Sequence, residues 1–155
     1  MESNIKFFEH VLSERECHTL IHYLLYGVNT SHSLDYNKLL RTNALDHEII
    51  KKLGKQYNIL IDRAFVMKYE KGHGSPLHSD NYSIESGDVV NHQWKYSAVI
   101  FLNQEFAGGE LIYPDQGIII KPVTGNMVIA PADESSPHFV NPPTADRYVL
   151  VLRII

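Results

Sequence analysis

The spacing of apolar residues changes near residue 62, and this change constrains the fold more than any other feature of the chain. Before it, apolar positions recur at helical intervals. Ser13, Glu14, Arg15 and Glu16 spell a capping box, with serine at the N-cap and glutamate three residues on. Leu20, Ile21, Leu24 and Leu25 then share a face, and Gly27 is a natural stop. The spacing predicts a second helix over 45–56, with Leu45, Ile49, Ile50 and Leu53 on one side and Gly54 as its weak point. From Asp62 onward the chain reads as short β segments over 64–69, 96–102, 110–113, 117–121, 127–130 and 147–155. Gly72 to Pro76, Gly108-Gly109, Pro114 to Gly117, Thr124-Gly125-Asn126 and Asn141-Pro142-Pro143 break these segments apart. Strands recurring about every 8–12 residues between turn signals describe a sandwich or barrel. The expected class is α+β, mainly β: a double-stranded β-helix (jelly roll) with buttressing N-terminal helices. One domain is expected over 1–155, with 1–60 as helical support and 61–155 as the jelly-roll core.

Composition narrows the function classes. The net charge of −4 argues against a sequence-independent nucleic-acid binder, which needs a basic face. The lone cysteine, Cys17, cannot form an internal disulfide and reads, like Met67, as a packing residue. The first residues lack a basic stretch followed by an apolar one, so no signal peptide is expected. No apolar run approaches the ~18 residues of a membrane span. A soluble, cytoplasmic protein of undetermined oligomeric state is expected.

The chemistry-bearing residues lie in the β half. His78-Ser79-Asp80 places imidazole and carboxylate two apart, and on an extended strand such positions share a face. Alone the pair is weak evidence, because random placement yields about half a His-x-Asp per chain of this composition. A third ligand must come from far along the chain, and His138 is the one histidine after residue 92. Two histidines and a carboxylate leave one face of an iron open for a chelating cosubstrate and O2. Arg147 opens an apolar strand nine residues after His138. An arginine pointing into a small barrel is costly unless its charge is met. A dicarboxylate such as 2-oxoglutarate meets it in bidentate fashion. Tyr69 is placed to add a hydroxyl to the same pocket.

These pieces, in this order, resemble the prolyl-4-hydroxylase-like branch of the Fe(II)/2-oxoglutarate dioxygenases over 69–153. Tyr69-Glu70-Lys71-Gly72 looks like the family's tyrosine-x-x-glycine, and His78-Ser79-Asp80 matches its His-x-Asp. Ile100 to Asn103 resembles its aromatic-Leu-Asn strand end, and Gly108-Gly109-Glu110 its Gly-Gly-Glu hairpin. Lys121 to Asn126 resembles its x-Pro-x-x-Gly turn, and Pro137-His138 and Arg147 match its distal histidine and cosubstrate-binding basic residue. The resemblance implies iron on His78, Asp80 and His138, with 2-oxoglutarate on Arg147. It implies Fe(II), 2-oxoglutarate and O2 as cofactors, with ascorbate as an optional reductant. The products would be succinate, CO2 and a hydroxylated C–H bond. Phe101 stands where some members carry a tyrosine hydroxyl, which leaves Tyr113 or Tyr69 to supply that hydrogen bond. The polar segment 81–93 matches a lid over substrate.

The resemblance points to a prolyl residue in a protein or peptide as substrate. A free amino acid or other small molecule is an alternative, as is a non-catalytic, cupin-like metal-binding module, which would not need Arg147. Tyr69 is open between core aromatic and cosubstrate ligand, and Trp94 between core and substrate wall. Gly108 and Gly109 are expected to serve turn geometry alone. On a regular strand Arg153 shares a face with Arg147, which demands either a bulge or a partner.

Overall fold

The structure, a computed structural model, describes residues 4–27, 30–32, 39–83 and 86–155. In chain order its elements are β1 (Lys6–Phe8), α1 (Glu14–Tyr26), β2 (Thr30–His32), β3 (Leu39–Asn43), α2 (Glu48–Tyr57), β4 (Ile61–Tyr69), β5 (Ser75–His78), β6 (Tyr82–Ser83), β7 (Asp88–Val89), β8 (Tyr96–Phe101), β9 (Leu111–Tyr113), β10 (Ile118–Ile120), β11 (Met127–Pro131), β12 (His138–Val140) and β13 (Arg147–Ile154). A seven-stranded sheet has the order β1-β11-β8-β13-β4-β3-β2, and a four-stranded sheet the order β10-β9-β12-β5. Every pairing is antiparallel. Two such sheets face to face, with helices on the outer side of the larger one, make the expected jelly roll.

The alternation along β13 builds both layers. Leu150, Leu152 and Ile154 point to the helices and join Leu20, Leu24, Ile50 and Leu53 in one core cluster. Val149 and Val151 point the other way and meet Leu111, Tyr113 and Val140 of the small sheet. Each fully buried Leu or Ile contributes about 1.5–3 kcal/mol. The faces of β13 therefore differ in purpose: one is sealed by helices, the other looks between the sheets.

Both expected helices form. The Ser13 side chain accepts from the Glu16 amide, Glu16 accepts from the Ser13 amide, and Gly27 caps the far end. The second helix starts at Glu48 rather than 45, because the His47 side chain caps it by accepting from the Ile49 amide. The first sixty residues are not only helical. β1, β2 and β3 extend the large sheet at its two ends. β3 pairs residue for residue with β4, and β1 with β11. Such short outer strands are held by backbone hydrogen bonds and carry little side-chain periodicity, so the apolar pattern passes them over.

Candidate active site

The two histidines meet through a strand pairing. His78 ends β5 and His138 opens β12, and their Cα atoms are direct partners across the antiparallel ladder. Their ring centroids lie 4.5 Å apart. His78 Nδ1 donates to the Pro76 carbonyl at 2.7 Å, and His138 Nδ1 donates to the Ser136 carbonyl at 3.0 Å. A carbonyl can only accept, so each Nδ1 carries a proton there and Nε2 is the nitrogen turned toward Asp80. Both Nε2 atoms lie 3.5 Å from Asp80 Oδ1. Asp80 does not share the strand with His78 as expected. β5 stops at His78, Ser79 forms an isolated bridge with Tyr82, and Asp80 sits in the turn between them. The turn, not strand alternation, swings the carboxylate back to the imidazoles. One donor atom from each of the three residues falls within 4.8 Å of the others, a set that can hold a metal ion. Burial opposes charge on Asp80, but hydrogen bonds from His138 and His78 and the charge of Arg153 hold its carboxyl well below the usual range.

A second group of polar atoms closes the same cavity, which has a volume of about 100 Å³. Arg147 is 1 % exposed. Its Nε donates to the Gly109 carbonyl at 3.0 Å, and its Cζ lies 5.1 Å from the Tyr69 ring centroid and 5.7 Å from that of Phe101. Burial pushes its pKa down to about 10, so the guanidinium is charged at neutral pH. Yet Arg147 Nη2 is buried with no hydrogen-bond partner, and so is Ser75 Oγ. Both residues line the cavity that His78, Asp80 and His138 also line, with Met67, Val149 and Val151 as apolar wall. Buried orphans of this kind call for a ligand.

Ser75 reaches the cavity through a bulge. His138 pairs with His78 but Val140 pairs with Ser75, so β5 carries one extra residue between them. The bulge turns the strand's parity, and Ser75 and His78, three apart, both face inward. Pro76 is tolerated there because β5 is an edge strand. Sequence reading missed Ser75, since a serine beside a proline carries no signal until the register is known.

A model of the 2OG-Fe(II) oxygenase superfamily matches residues 64–153, more than half of the chain. The chain belongs to this superfamily. It is a 2-oxoglutarate-dependent dioxygenase, and its cofactors are Fe(II), 2-oxoglutarate and O2. The oxygenase shares its fold with a viral collagen prolyl hydroxylase of Paramecium bursaria Chlorella virus-1, solved as a 2OG complex. The two are 18% identical with a TM-score of 0.78, covering 97% of this chain and 94% of the other. A prolyl-4-hydroxylase of Pseudomonas putida gives 16% identity and a TM-score of 0.70 over 97% and 91% of the two chains. A Trichoplax adhaerens prolyl hydroxylase in complex with a hypoxia inducible factor peptide fragment gives 17% and 0.71 over 99% and 84%. No curated protein matches the sequence.

The residues of the oxygenase fit the groups its family uses. Two imidazole Nε2 atoms and a carboxylate suit Fe(II), and the orphaned Arg147 Nη2 and Ser75 Oγ suit a carboxylate. The structure brings Tyr69 to this cavity but not Tyr113. Tyr113 packs in the core with its ring 5.1 Å from His138 and does not line the cavity. Burial first, and the Asp80 charge second, push its hydroxyl pKa up, so it stays a neutral phenol. Gly108 and Gly109 do serve a turn, at φ 71° each, but the Gly109 carbonyl also holds Arg147. Asn103 fixes the entry of β13 by donating to the Asp146 carbonyl and accepting from the Tyr148 amide. In the segment 81–93, Ile84 and Glu85 lie outside the described residues. The base of that segment is tied: Asn81, 4 % exposed, donates to the carbonyls of Asn91 and Trp94 and accepts from the Asn91 amide. No helix among the described residues is long and apolar enough to cross a membrane.

Arg153 needs a partner, and it has one. Its Nη1 lies 3.5 Å from Asp80 Oδ2 and its Nη2 lies 3.5 Å from Asp80 Oδ1. Arg147 and Arg153 share one face of β13 and line the same cavity.

Proposed function

We propose that the chain hydroxylates a prolyl residue of a protein or peptide, with Fe(II) on His78, Asp80 and His138 and 2-oxoglutarate held by Arg147. The observation that carries the site assignment is the shared cavity: three metal-type donors and two unpartnered buried polar atoms line one small space. When bound, iron and 2-oxoglutarate supply the oxidising chemistry, in which O2 and 2-oxoglutarate become succinate, CO2 and one oxygen atom inserted into a C–H bond. The protein's residues bind and orient. Pro76 and Ser136 carbonyls engage the Nδ1 atoms and fix the rings, so each Nε2 is the nitrogen that would hold the metal. Arg147 would hold the distal carboxylate of 2-oxoglutarate through its unpartnered Nη2, and Ser75 Oγ would add the hydroxyl that Phe101 lacks. Tyr69 and Phe101 flank the guanidinium and keep water from it. The apolar walls contributed by Met67, Val149 and Val151 exclude water from the reacting atoms.

The prolyl substrate is supported by the fold shared with prolyl hydroxylases from a virus, a bacterium and an animal, one of them bound to a peptide. The test is succinate release from 2-oxoglutarate under Fe(II), driven by a panel of prolyl peptides and free proline. The expected product is a peptide heavier by one oxygen atom at proline. Oxidation of free proline alone would move the substrate to the small-molecule class. Failure of the anaerobic protein to bind Fe(II) or 2-oxoglutarate would remove the site assignment. His78→Ala and Asp80→Ala are each expected to abolish turnover.

A further inference from the structure

We propose that Arg153 holds Asp80 so that a single carboxylate oxygen faces the metal, which keeps one coordination position open for a small ligand. This rests on the iron site proposed above. The two oxygens of Asp80 have different surroundings. Oδ1 lies 3.5 Å from the Nε2 atoms of both His78 and His138, so it faces the point the ligands share. Oδ2 is met by Arg153 Nη1 at 3.5 Å, while Nη2 of the same guanidinium reaches Oδ1 at 3.5 Å, so the fork spans the carboxylate and Oδ1 is the oxygen that also faces the imidazoles. An aspartate bound through one oxygen, with two histidines, leaves a whole face of an octahedral iron open. An aspartate chelating through both oxygens takes one position of that face. After 2-oxoglutarate chelates, no position is then left.

Coulomb's law alone does not explain an arginine here. A cation beside a metal-binding carboxylate repels the metal and lowers its affinity. The placement makes sense as geometry, and Arg153 is itself fixed from two further sides. Nη1 donates to Ser97 Oγ at 3.2 Å. Its Cζ sits 5.8 Å from the Trp94 ring centroid. Trp94 is anchored in turn, since its indole N–H donates to Asp62 Oδ2 at 2.7 Å. Asp62 can reach it because of a second bulge: Arg153 pairs with Arg63 but Ile154 pairs with Ile61, so Asp62 is the extra residue of β4. Sheet irregularity, tryptophan and arginine thus form one chain of contacts that ends on the carboxylate of Asp80. The role assigned to Arg153 acts through Asp80, so it is a positioning residue.

The test uses nitric oxide as a probe of the open position, on anaerobic protein loaded with Fe(II) and 2-oxoglutarate and read by the high-spin iron–nitrosyl resonance. Arg153→Met removes the cation but keeps the bulk against Trp94. Arg153→Lys can still meet Oδ2. We expect R153M to load iron as well as the wild type or better, yet to bind nitric oxide about tenfold or more weakly. We expect R153K to stay close to the wild type. The proposal is overturned if R153M binds nitric oxide as the wild type does or if R153K falls as far as R153M. It is also overturned if R153M loads no iron, because a role in denticity leaves the metal in place. Wild-type protein that loads no iron would instead overturn the site assignment on which the proposal stands.

Discussion

Arg147 and Gly109, 38 residues apart, are joined by a hydrogen bond of 3.0 Å from the guanidinium Nε to the glycine carbonyl. This bond fixes one side of a buried cation and leaves Nη2 without a partner in a side chain that lines the cavity. The empty valence is costly to the free protein, since an unsatisfied buried charged group destabilises by about 1–3 kcal/mol or more. A carboxylate relieves it.

Two outcomes follow for Arg147. 2-Oxoglutarate should raise the melting temperature of wild-type protein, with a gain of about 2.7 kcal/mol at a hundred times its Kd. Arg147→Met should abolish that gain and weaken 2-oxoglutarate binding about a hundredfold, the equivalent of one lost charge-assisted pair. The ligand-free R147M should nevertheless melt no lower than ligand-free wild type, because an apolar side chain replaces an incompletely paired charge. Differential scanning calorimetry with and without 2-oxoglutarate checks both.

Gly109 is tested by one methyl group. Its φ of 71° favours glycine, and an added Cβ would lie 2.7 Å from Phe106 Cε2 and 3.2 Å from Arg147 Cδ. Gly109→Ala should therefore cost about 1 kcal/mol or more in backbone strain. It should also push Arg147 off its carbonyl and weaken 2-oxoglutarate binding. Gly117→Ala is the control. Gly117 also has φ 67° but nothing within 4 Å of its Cβ, so it should lose stability alone and keep 2-oxoglutarate affinity. Equal affinities in the two variants would separate Gly109 from the site.

The residues legible from sequence are those whose type alone is costly or rare. An arginine opening an apolar strand must meet an anion, and a histidine after a turn-rich run stands out where no other follows. The residues that escaped depend on register. Ser75 faces the cavity because of a bulge in β5, and Asp62 reaches Trp94 because of a bulge in β4. A single extra residue reverses the face of everything beyond it, and no local pattern announces it. Tyr113, expected as a donor to the cosubstrate, lies outside the cavity lining for a related reason. Its strand was expected, but its burial against His138 depends on how the two sheets pack. The outer strands β1 to β3 were missed because backbone pairing, not side-chain alternation, creates them.

The helix that backs the large sheet has a pH-dependent cap. Burial works against ionisation of Glu16, but hydrogen bonds from Ser13 and Lys52 outweigh it and lower the pKa from 4.5. The folded state thus binds its proton less readily than the unfolded chain. The contribution is present above the unfolded value and is lost as pH falls through the folded one. Ser13→Ala should cost about 1 kcal/mol at neutral pH. Glu16→Gln should flatten the acid limb of a urea-midpoint against pH curve below about pH 4.5, relative to wild type. An unchanged acid limb in E16Q would show that the cap adds nothing through its charge.

Asn81 offers the last test, because it follows Asp80 directly and ties the base of the segment 81–93. Its side chain makes three bonds, two as donor to the carbonyls of Asn91 and Trp94 and one as acceptor from the Asn91 amide. Asn81→Ala should cost about 1–3 kcal/mol, since it leaves these groups buried without partners. Asn81→Asp keeps the acceptor but turns the donor into a second carboxylate oxygen facing two carbonyls. It should cost at least as much at neutral pH and recover as pH falls, because protonation restores a donor and removes the repulsion. Amide exchange at Asn91 separates a local clasp from a global effect. Local opening would speed exchange at Asn91 while the strand amides of β13 stay protected, because β13 lies at the centre of the large sheet. If Asn91 and β13 lose protection together in N81A, then Asn81 supports the fold as a whole. If Asn91 alone is released, the segment beside Asp80 opens as a unit on an intact barrel, as a substrate lid requires.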